Sequence, residues 1–283
     1  MTQLSKTFVN KIHCCDGIVG MRMLPDNCIP LTVTSPPYDD QRCYGNHKWS
    51  FETFTKIADQ LYRLTIPGGV VVWVVQDGMK NGSLSGTSAR QWLHFQEIGF
   101  NLDSMIILAC QGWRPQTRRY ANQFHYGFVL SKGSPRTFNP IRDRENTSAG
   151  QRLRSSRRNK KGMAVTTYNS SCLRLGEDNY RTNIWFCDVG WGKTTKDWYV
   201  YECHPALMPE DMARDLIVSW SRPGELAFDP MAGAGTTCKM ALLTNRRYLG
   251  FEIHEPYFRI AQRRLWDAQV RQRNELDAWL IGA

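Results

Sequence analysis

Two short segments of this chain carry residue types whose order could do chemistry. Thr34-Ser35-Pro36-Pro37-Tyr38 follows directly on the apolar run Leu31–Thr34, and Phe228-Asp229-Pro230-Met231-Ala232-Gly233-Ala234-Gly235-Thr236-Thr237 follows Leu226–Phe228. In the first, Pro36 and Pro37 lack N–H groups, so the loop is stiff and presents carbonyls. The Ser35 hydroxyl and the Pro36 carbonyl form a pair of acceptors for the two protons of a conjugated amine. Held so, the nitrogen becomes tetrahedral and its lone pair is freed from the ring for attack on an electrophilic carbon. Tyr38 offers a ring for a base to stack on. Taken alone, Pro-Pro-Tyr more often means a rigid turn over a core tyrosine; beside the glycine segment that reading loses ground.

The glycine segment suits a ligand with a ribose and a charge. Gly233 and Gly235 allow a tight turn and close approach, and the helix that follows presents N–H groups to an anion. Asp229 ends one strand and a second acid, Glu252, ends the next, 23 residues later, where a ribose hydroxyl pair would be gripped. NAD and S-adenosylmethionine (AdoMet) both carry a ribose. Cys238 at the third small-residue position breaks the strict G-x-G-x-x-G/A pattern, which counts against NAD. A carboxylate at Asp229 suits a ligand ammonium, which AdoMet has and NAD lacks.

Alternating strands and helices must hold these loops. Strands are expected at Leu31–Thr34, Val70–Val75, Ser104–Ala109, His125–Leu130, Leu226–Phe228 and Tyr248–Ile253. Helices are expected at Phe51–Ile66, Ser88–Ile98, Pro209–Trp220, Thr236–Leu243 and Pro256–Ala278. Val70–Val75, all valine but for Trp73, reads as a strand buried on both faces of a parallel sheet. Pro209 suits a first helical turn, with Glu210 and Asp211 near its positive end. The pattern is an open α/β sheet, whose ligands bind beyond the carboxyl ends of strands. It fails between about Ser134 and Tyr201, a stretch first basic and then aromatic, which reads as an insertion.

Composition narrows the class. The chain has 283 residues, 36 Lys and Arg against 26 Asp and Glu (net +10), and 42% hydrophobic residues, which is globular rather than disordered. The longest apolar runs, Val70–Val75 and Met105–Cys110, have six residues, too few to span a bilayer, and the N-terminal residues carry no secretion signal. A soluble, cytoplasmic protein is expected. Nine cysteines without a C-x-x-C pair argue against a metal site, so no metal is expected; they read as mostly small buried hydrophobes. Between Arg142 and Lys161 there are eight Lys and Arg against two acids. A solvated loop and a nucleic-acid-contacting segment explain that run about equally.

Together the two motifs resemble the amino-methyltransferases of DNA, which methylate N6 of adenine or N4 of cytosine from AdoMet. The resemblance is to the β-class, in which the S/D-P-P-Y motif comes first, target recognition lies in the middle and the glycine motif comes last. Ser35 here precedes Gly233 by 198 positions. The fold implied is a Rossmann-like methyltransferase sheet in permuted motif order. Residues 1–133 and 202–283 would form the catalytic domain, and residues 134–201 an inserted target-recognition region. Ser35, Pro36, Pro37 and Tyr38 take the catalytic positions. The cofactor would lie against Phe228, Asp229, Pro230, Gly233, Gly235, Thr236, Thr237 and Glu252, with Asp16 closing the opening strand and His204-Pro205 leading into the helix before Phe228. DNA phosphates would meet Arg142, Arg144, Arg152, Arg154, Arg157, Arg158, Lys160 and Lys161, with Arg42 and Lys48 on the loop after Tyr38; Arg114, Arg118 and Arg119 form a further basic loop. Trp185, Trp191 and Trp198 read as the core of a small subdomain. Duplex DNA, a homodimer and a companion restriction endonuclease are the partners implied. Serine at position 35 leans toward cytosine N4 in this family, whereas adenine methylation is the commoner outcome; adenine N6 is ranked narrowly first.

Rivals fit less well. A C5-cytosine methyltransferase needs a Pro-Cys nucleophile, and none of the 13 prolines precedes a cysteine. RNA and protein amide methyltransferases normally place the glycine motif first. A DNA-binding protein without activity explains the charge alone, and an NAD-dependent oxidoreductase leaves Ser-Pro-Pro-Tyr unexplained.

Overall fold

The structure, a computed structural model, describes residues 4–38, 49–111, 120–151, 154–158, 164–168 and 176–282. The chain divides into two compact units, residues 1–139 with 183–283, and residues 140–182.

The first unit opens with β1 (Lys11–Cys14), α1 (Gly17–Arg22), β2 (Ile29–Thr34), α2 (Phe51–Leu64) and β3 (Thr65–Val75). The short hairpin β4 (Met79–Lys80) and β5 (Ser83–Leu84) then leads to α3 (Thr87–Glu97), β6 (Asn101–Gln111) and β7 (Phe124–Ser131). In the second unit lie β8 (Arg142–Glu145), β9 (Arg154–Arg158), β10 (Ala164–Tyr168) and β11 (Asp178–Tyr180). The chain returns to the first unit through β12 (Ile184–Asp188), α4 (Glu210–Trp220), β13 (Leu226–Asp229), α5 (Thr236–Leu243), β14 (Arg247–Glu252) and α6 (Glu255–Gly282).

The main sheet has eight strands in the order β1-β14-β13-β2-β3-β7-β6-β12. All neighbours run parallel except β7, which is antiparallel to both β3 and β6. The expectation that β3 pairs in a wholly parallel sheet is corrected on that side alone. It is still buried on both faces from Val70 to Val75, because its odd-numbered face packs with Phe54, Ile57, Leu61 and Phe95 of α2 and α3. Strand order decides where the chemistry falls. The late strands β13 and β14 insert between β1 and β2, so the glycine segment sits beside the Ser-Pro-Pro-Tyr segment across adjacent parallel strands.

The stretch read as one insertion, residues 134–201, is divided. Pro140–Thr182 forms the second unit, whereas β12 pairs in parallel with β6 as the edge of the main sheet. In the second unit β8 pairs with β11 and β9 with β10, both antiparallel. Among the described residues no helix is long and apolar enough to cross a membrane.

Three readings of side chains are corrected. Of the described cysteines only Cys187 and Cys238 are buried; Cys14 and Cys203 are exposed and Cys15, Cys28 and Cys110 lie between. Trp191 and Trp198 are exposed and Trp185 packs into the main sheet, so these three are not the core of a separate subdomain. Pro209 precedes α4 as its N-cap, and Glu210 does more than face the helix dipole, as shown below.

Candidate active site

Five strand ends of the main sheet open on one cavity of about 860 Å³. The end of β1 gives Asp16, β2 gives Ser35 to Tyr38, β3 gives Gln76, β13 gives Asp229, and β14 gives Glu252. A cavity of that size is within the range for small-molecule sites and holds more than one ligand moiety.

Ser35 lies one residue beyond β2, and its Oγ is 2.8 Å from the Tyr38 hydroxyl. The bond fixes both side chains; either oxygen can donate. When Ser35 donates to Tyr38, the Ser35 lone pairs face the cavity as acceptors. The Tyr38 ring packs at a tilt on His125, with centroids 5.4 Å apart. One residue before Ser35, the Thr34 hydroxyl donates to Asp229 Oδ1 at 2.7 Å, joining the two motifs across β2 and β13. Thr237 adds a second tie by donating from its hydroxyl to the Val33 carbonyl at 3.1 Å.

Asp229 is buried, and its hydrogen-bond partners are neutral donors: the Thr34 hydroxyl and the Met231 N–H at 3.1 Å. No cation pairs with it among the described residues. Burial pushes its carboxyl up to about 6 against those hydrogen bonds, and the nearby Glu252 charge adds to the rise. A buried carboxylate with no counter-charge among the described residues suits a ligand cation. Glu252 is organised differently. Its Oε2 accepts from the Gly233 N–H at 2.7 Å and its Oε1 from the His254 N–H at 2.7 Å. A carboxylate oxygen accepts more than one bond, so a ligand's hydroxyls can share these atoms.

The two glycines have separate duties. Gly233 has φ +52°, and a Cβ there would lie 2.9 Å from the His204 ring, so glycine lets the imidazole close over the loop. Gly235 has φ +76°, and a Cβ would meet Ala261 at 2.8 Å; it packs the start of α5 against α6 and does not line the cavity. Phe228, likewise expected at the cofactor, is core, packed edge-on against Phe251. Asp16, His204, Pro205, Pro230, Thr236 and Thr237 line the cavity. Asp16 also caps α1 by accepting from the Val19 N–H.

Arg142 and Arg144 lie exposed on β8, with Arg142 over the Tyr180 ring and its guanidinium donating to the Tyr180 hydroxyl at 2.8 Å. Arg154, Arg157 and Arg158 fall on β9. Arg42, Lys48, Arg114, Arg118, Arg119, Arg152, Lys160 and Lys161 lie outside the described residues.

Sequence reasoning missed one wall and one brace. The wall, formed by Trp49, Thr53, Gln76, Gln123 and His125, lines the same cavity as Ser35 to Tyr38. Gln76 lies one residue beyond β3 and His125 lies on β7, strands whose pattern is legible without saying which ends face a site. The Gln76 amide nitrogen donates to the Phe124 carbonyl at 2.7 Å, which leaves its oxygen as an acceptor. The brace is ionic and buried. Asp197 accepts from Lys239 (2.7 Å), Arg264 (2.8 Å) and Arg271 (2.8 Å), and Glu210 from Lys239 and Arg264 (both 2.6 Å). Arg264 also donates to the Ala234 carbonyl at 2.7 Å and the Thr236 hydroxyl at 2.9 Å, holding the glycine loop from behind.

An open sheet with one antiparallel strand brings the Ser-Pro-Pro-Tyr loop after β2 and the two acids after β13 and β14 to one cavity, the arrangement of an enzyme site at the carboxyl ends of strands. The chain belongs to the DNA methylase family of N6 and N4 methyltransferases, whose model matches residues 29–263. It is 44% identical over 243 residues to the orphan methyltransferase M.BamHII of Bacillus amyloliquefaciens, a match covering 85% of this chain and 89% of that one. Its fold is that of the PvuII cytosine-N4-specific DNA methyltransferase (TM-score 0.66, 18% identity, 90% of this chain and 85% of that one). It also matches TTHA0409 of Thermus thermophilus in complex with S-adenosyl-L-methionine (TM-score 0.61, 20% identity, 91% and 93% covered).

Proposed function

We propose that the chain transfers a methyl group from AdoMet to an exocyclic amine of a base in duplex DNA. The observation that carries the reading is the 2.7 Å bond from Thr34 to Asp229, which joins the acceptor loop to the acid of the donor side. When bound, AdoMet supplies an electrophilic methyl on a sulfonium. Asp229 would hold its ammonium and Glu252 its ribose hydroxyls, with His204, Pro205, Pro230 and Thr236 along the same wall. Asp229, buried and without a cation partner among the described residues, fits that ammonium by charge.

The remaining work belongs to the acceptor side. The Ser35 hydroxyl and Pro36 carbonyl accept from the base amine and hold its nitrogen tetrahedral, and the Tyr38 ring stacks on the base. The base must leave the duplex to reach them. The second unit, with arginines on β8 and β9, serves as the target-recognition element, its cations contacting phosphates. A homodimer, a companion restriction endonuclease and a cytoplasmic location belong to the same reading by resemblance.

Adenine N6 stands first as the amine, as the sequence ranks it. Cytosine N4 is the second reading, favoured by serine rather than a carboxylate or amide side chain at position 35. Incubation with AdoMet and unmethylated DNA, followed by nucleoside mass spectrometry, decides between them. N6-methyladenine supports the first reading and N4-methylcytosine the second; no methylated base from protein that binds AdoMet rejects both.

The Asp229 assignment predicts a pH dependence. Its carboxyl, raised to about 6, is ionised above that pH and neutral below it. Only the ionised form pairs with an ammonium, so AdoMet affinity is expected to be full at neutral pH and to fall as pH drops through about 6. The Asp229→Asn protein should bind weakly without that step. Calorimetric titrations of both proteins between about pH 5 and about pH 8 check this; a wild-type affinity that does not change across the range removes the pairing.

A further inference from the structure

We infer that the turn Gly190–Lys196 is a nucleotide-contacting element at the mouth of the cavity. The Trp191 indole is its stacking platform, and Lys193 and Lys196 are its phosphate partners. The inference rests on the DNA reading above and adds a contact that the two motifs do not supply.

Position comes first. Val189, Gly190, Thr194 and Tyr201 line the cavity that holds Ser35 to Tyr38, while Trp191, between them in the chain, is 67% exposed. Its indole lies nearly parallel to the Tyr201 ring, with centroids 4.8 Å apart and planes at 23°. One face is therefore covered and the other is open.

The turn is stiff. Gly190 (φ +111°) and Gly192 (φ +72°) make it tight. The Gly190 N–H donates to the Thr194 hydroxyl at 3.0 Å, and the N–H groups of Lys193 and Thr194 both donate to the Gly190 carbonyl at 3.1 Å. The Tyr201 hydroxyl accepts from the Thr195 N–H at 3.1 Å and lies 2.9 Å from the Gly190 carbonyl, within donating reach. At its base, the Thr195 hydroxyl donates to Glu210 at 2.6 Å and ties the turn to the buried ionic brace. A loose loop would fold its tryptophan down out of water. This one holds the ring outward at little further entropic cost on binding.

Charge names the ligand class. Lys193 is 62% exposed and its Nζ lies 3.9 Å from Asp188, the outer limit of an ion pair. Among the described residues Lys196 donates only to the Gly192 carbonyl, at 3.5 Å. Two cations beside an open π face match a base and its adjoining phosphates. Stacking of this kind tolerates any base, because each has a π face. A strand opened to release the target base exposes such neighbours.

The full-length Trp191→Ala and Trp191→Phe proteins, titrated with a labelled duplex that the wild-type protein methylates, test the inference. Base–aromatic stacking predicts that Trp191→Ala weakens DNA binding about 5- to 150-fold, with Trp191→Phe recovering most of the loss and AdoMet affinity unchanged in both. Replacing Lys193 and Lys196 by alanine should lower the slope of log affinity against log salt by about 0.9 for each phosphate contact removed. Wild-type affinity in Trp191→Ala overturns the inference. So does a Trp191→Ala protein that sediments as a smaller species with unchanged DNA affinity, because the ring then contacts a second copy of the chain. If the wild-type protein neither binds nor methylates DNA, it is the function proposed above that fails.

Discussion

Ser35→Ala is expected to lower the single-turnover methylation rate about 10²- to 10³-fold, the loss typical when one group that stabilises a transition state is removed. The expectation follows from what Ser35 touches. Its Oγ bonds the Tyr38 hydroxyl at 2.8 Å, and neither Asp229 nor Glu252 depends on it. AdoMet affinity should therefore stay within about threefold of wild type, since no partner of the two acids is altered. Tyr38→Phe separates the two roles of the loop: the ring remains, and the bond that orients Ser35 is lost. A net contribution of about 1 kcal/mol for that neutral hydrogen bond gives a fall of roughly fivefold. Rapid-quench measurements under single-turnover conditions read both. An unchanged rate in Ser35→Ala would leave the amine without its side-chain acceptor and remove Ser35 from the mechanism.

Ser35 and Asp229 are legible in the sequence because their signals are local. An apolar run that ends in Ser-Pro-Pro-Tyr, or in Asp-Pro followed by two glycines, states both its strand and the loop beyond it within about ten residues. What joins them is not legible. The Thr34–Asp229 bond spans 195 positions and exists because β13 inserts beside β2, which no periodicity records. The same limit hides β12. Trp185 and Cys187 face inward and Ile184 and Phe186 outward, an alternation proper to a strand, but it follows a basic stretch that reads as an insertion. Helix α1 escapes detection for its length, six residues with two glycines. Gly235 reads as a ligand contact because glycine in such a loop satisfies two demands, close approach and close packing, and sequence cannot say which applies. The cysteines mislead because residue type is a poor guide to depth. Cys14 ends an edge strand and Cys203 lies on a turn, so each is exposed despite a small apolar side chain.

The buried brace is the least legible feature, and it carries the largest expected effect on stability. Lys239 is the one charge in α5, Arg264 sits amid the charges of α6, and Asp197 stands between Lys196 and Trp198; each alone reads as a solvated charge. Together they lie at 2%, 0% and 1% side-chain exposure. Burial alone would raise the Asp197 carboxyl, but hydrogen bonds from Lys239, Arg264 and Arg271 outweigh it and hold the group well below the ordinary carboxylate range. Glu210 is lowered in the same way by Lys239, Thr195 and Arg264. A carboxylate lowered by folding contributes stability above its unfolded pKa and loses it as pH falls through the folded value, so the brace is fully in force above about pH 5 and fails only in acid. Asp197→Ala removes one member and leaves Lys239 and Arg264 buried with a single carboxylate between them. A loss of about 3–5 kcal/mol is expected, or a fall in unfolding temperature of roughly 10 °C. Arg271→Ala is the control: its side chain is 51% exposed and makes one bond to Asp197, so about 1 kcal/mol or less is at stake. Because Arg264 also holds the Ala234 carbonyl and Thr236, Asp197→Ala should weaken AdoMet binding as well, and Arg271→Ala should not. Thermal unfolding and calorimetry on the two variants separate these effects. An Asp197→Ala protein that unfolds within about 2 °C of wild type would show that the three cations find other partners or water, and that the glycine loop keeps its shape without them.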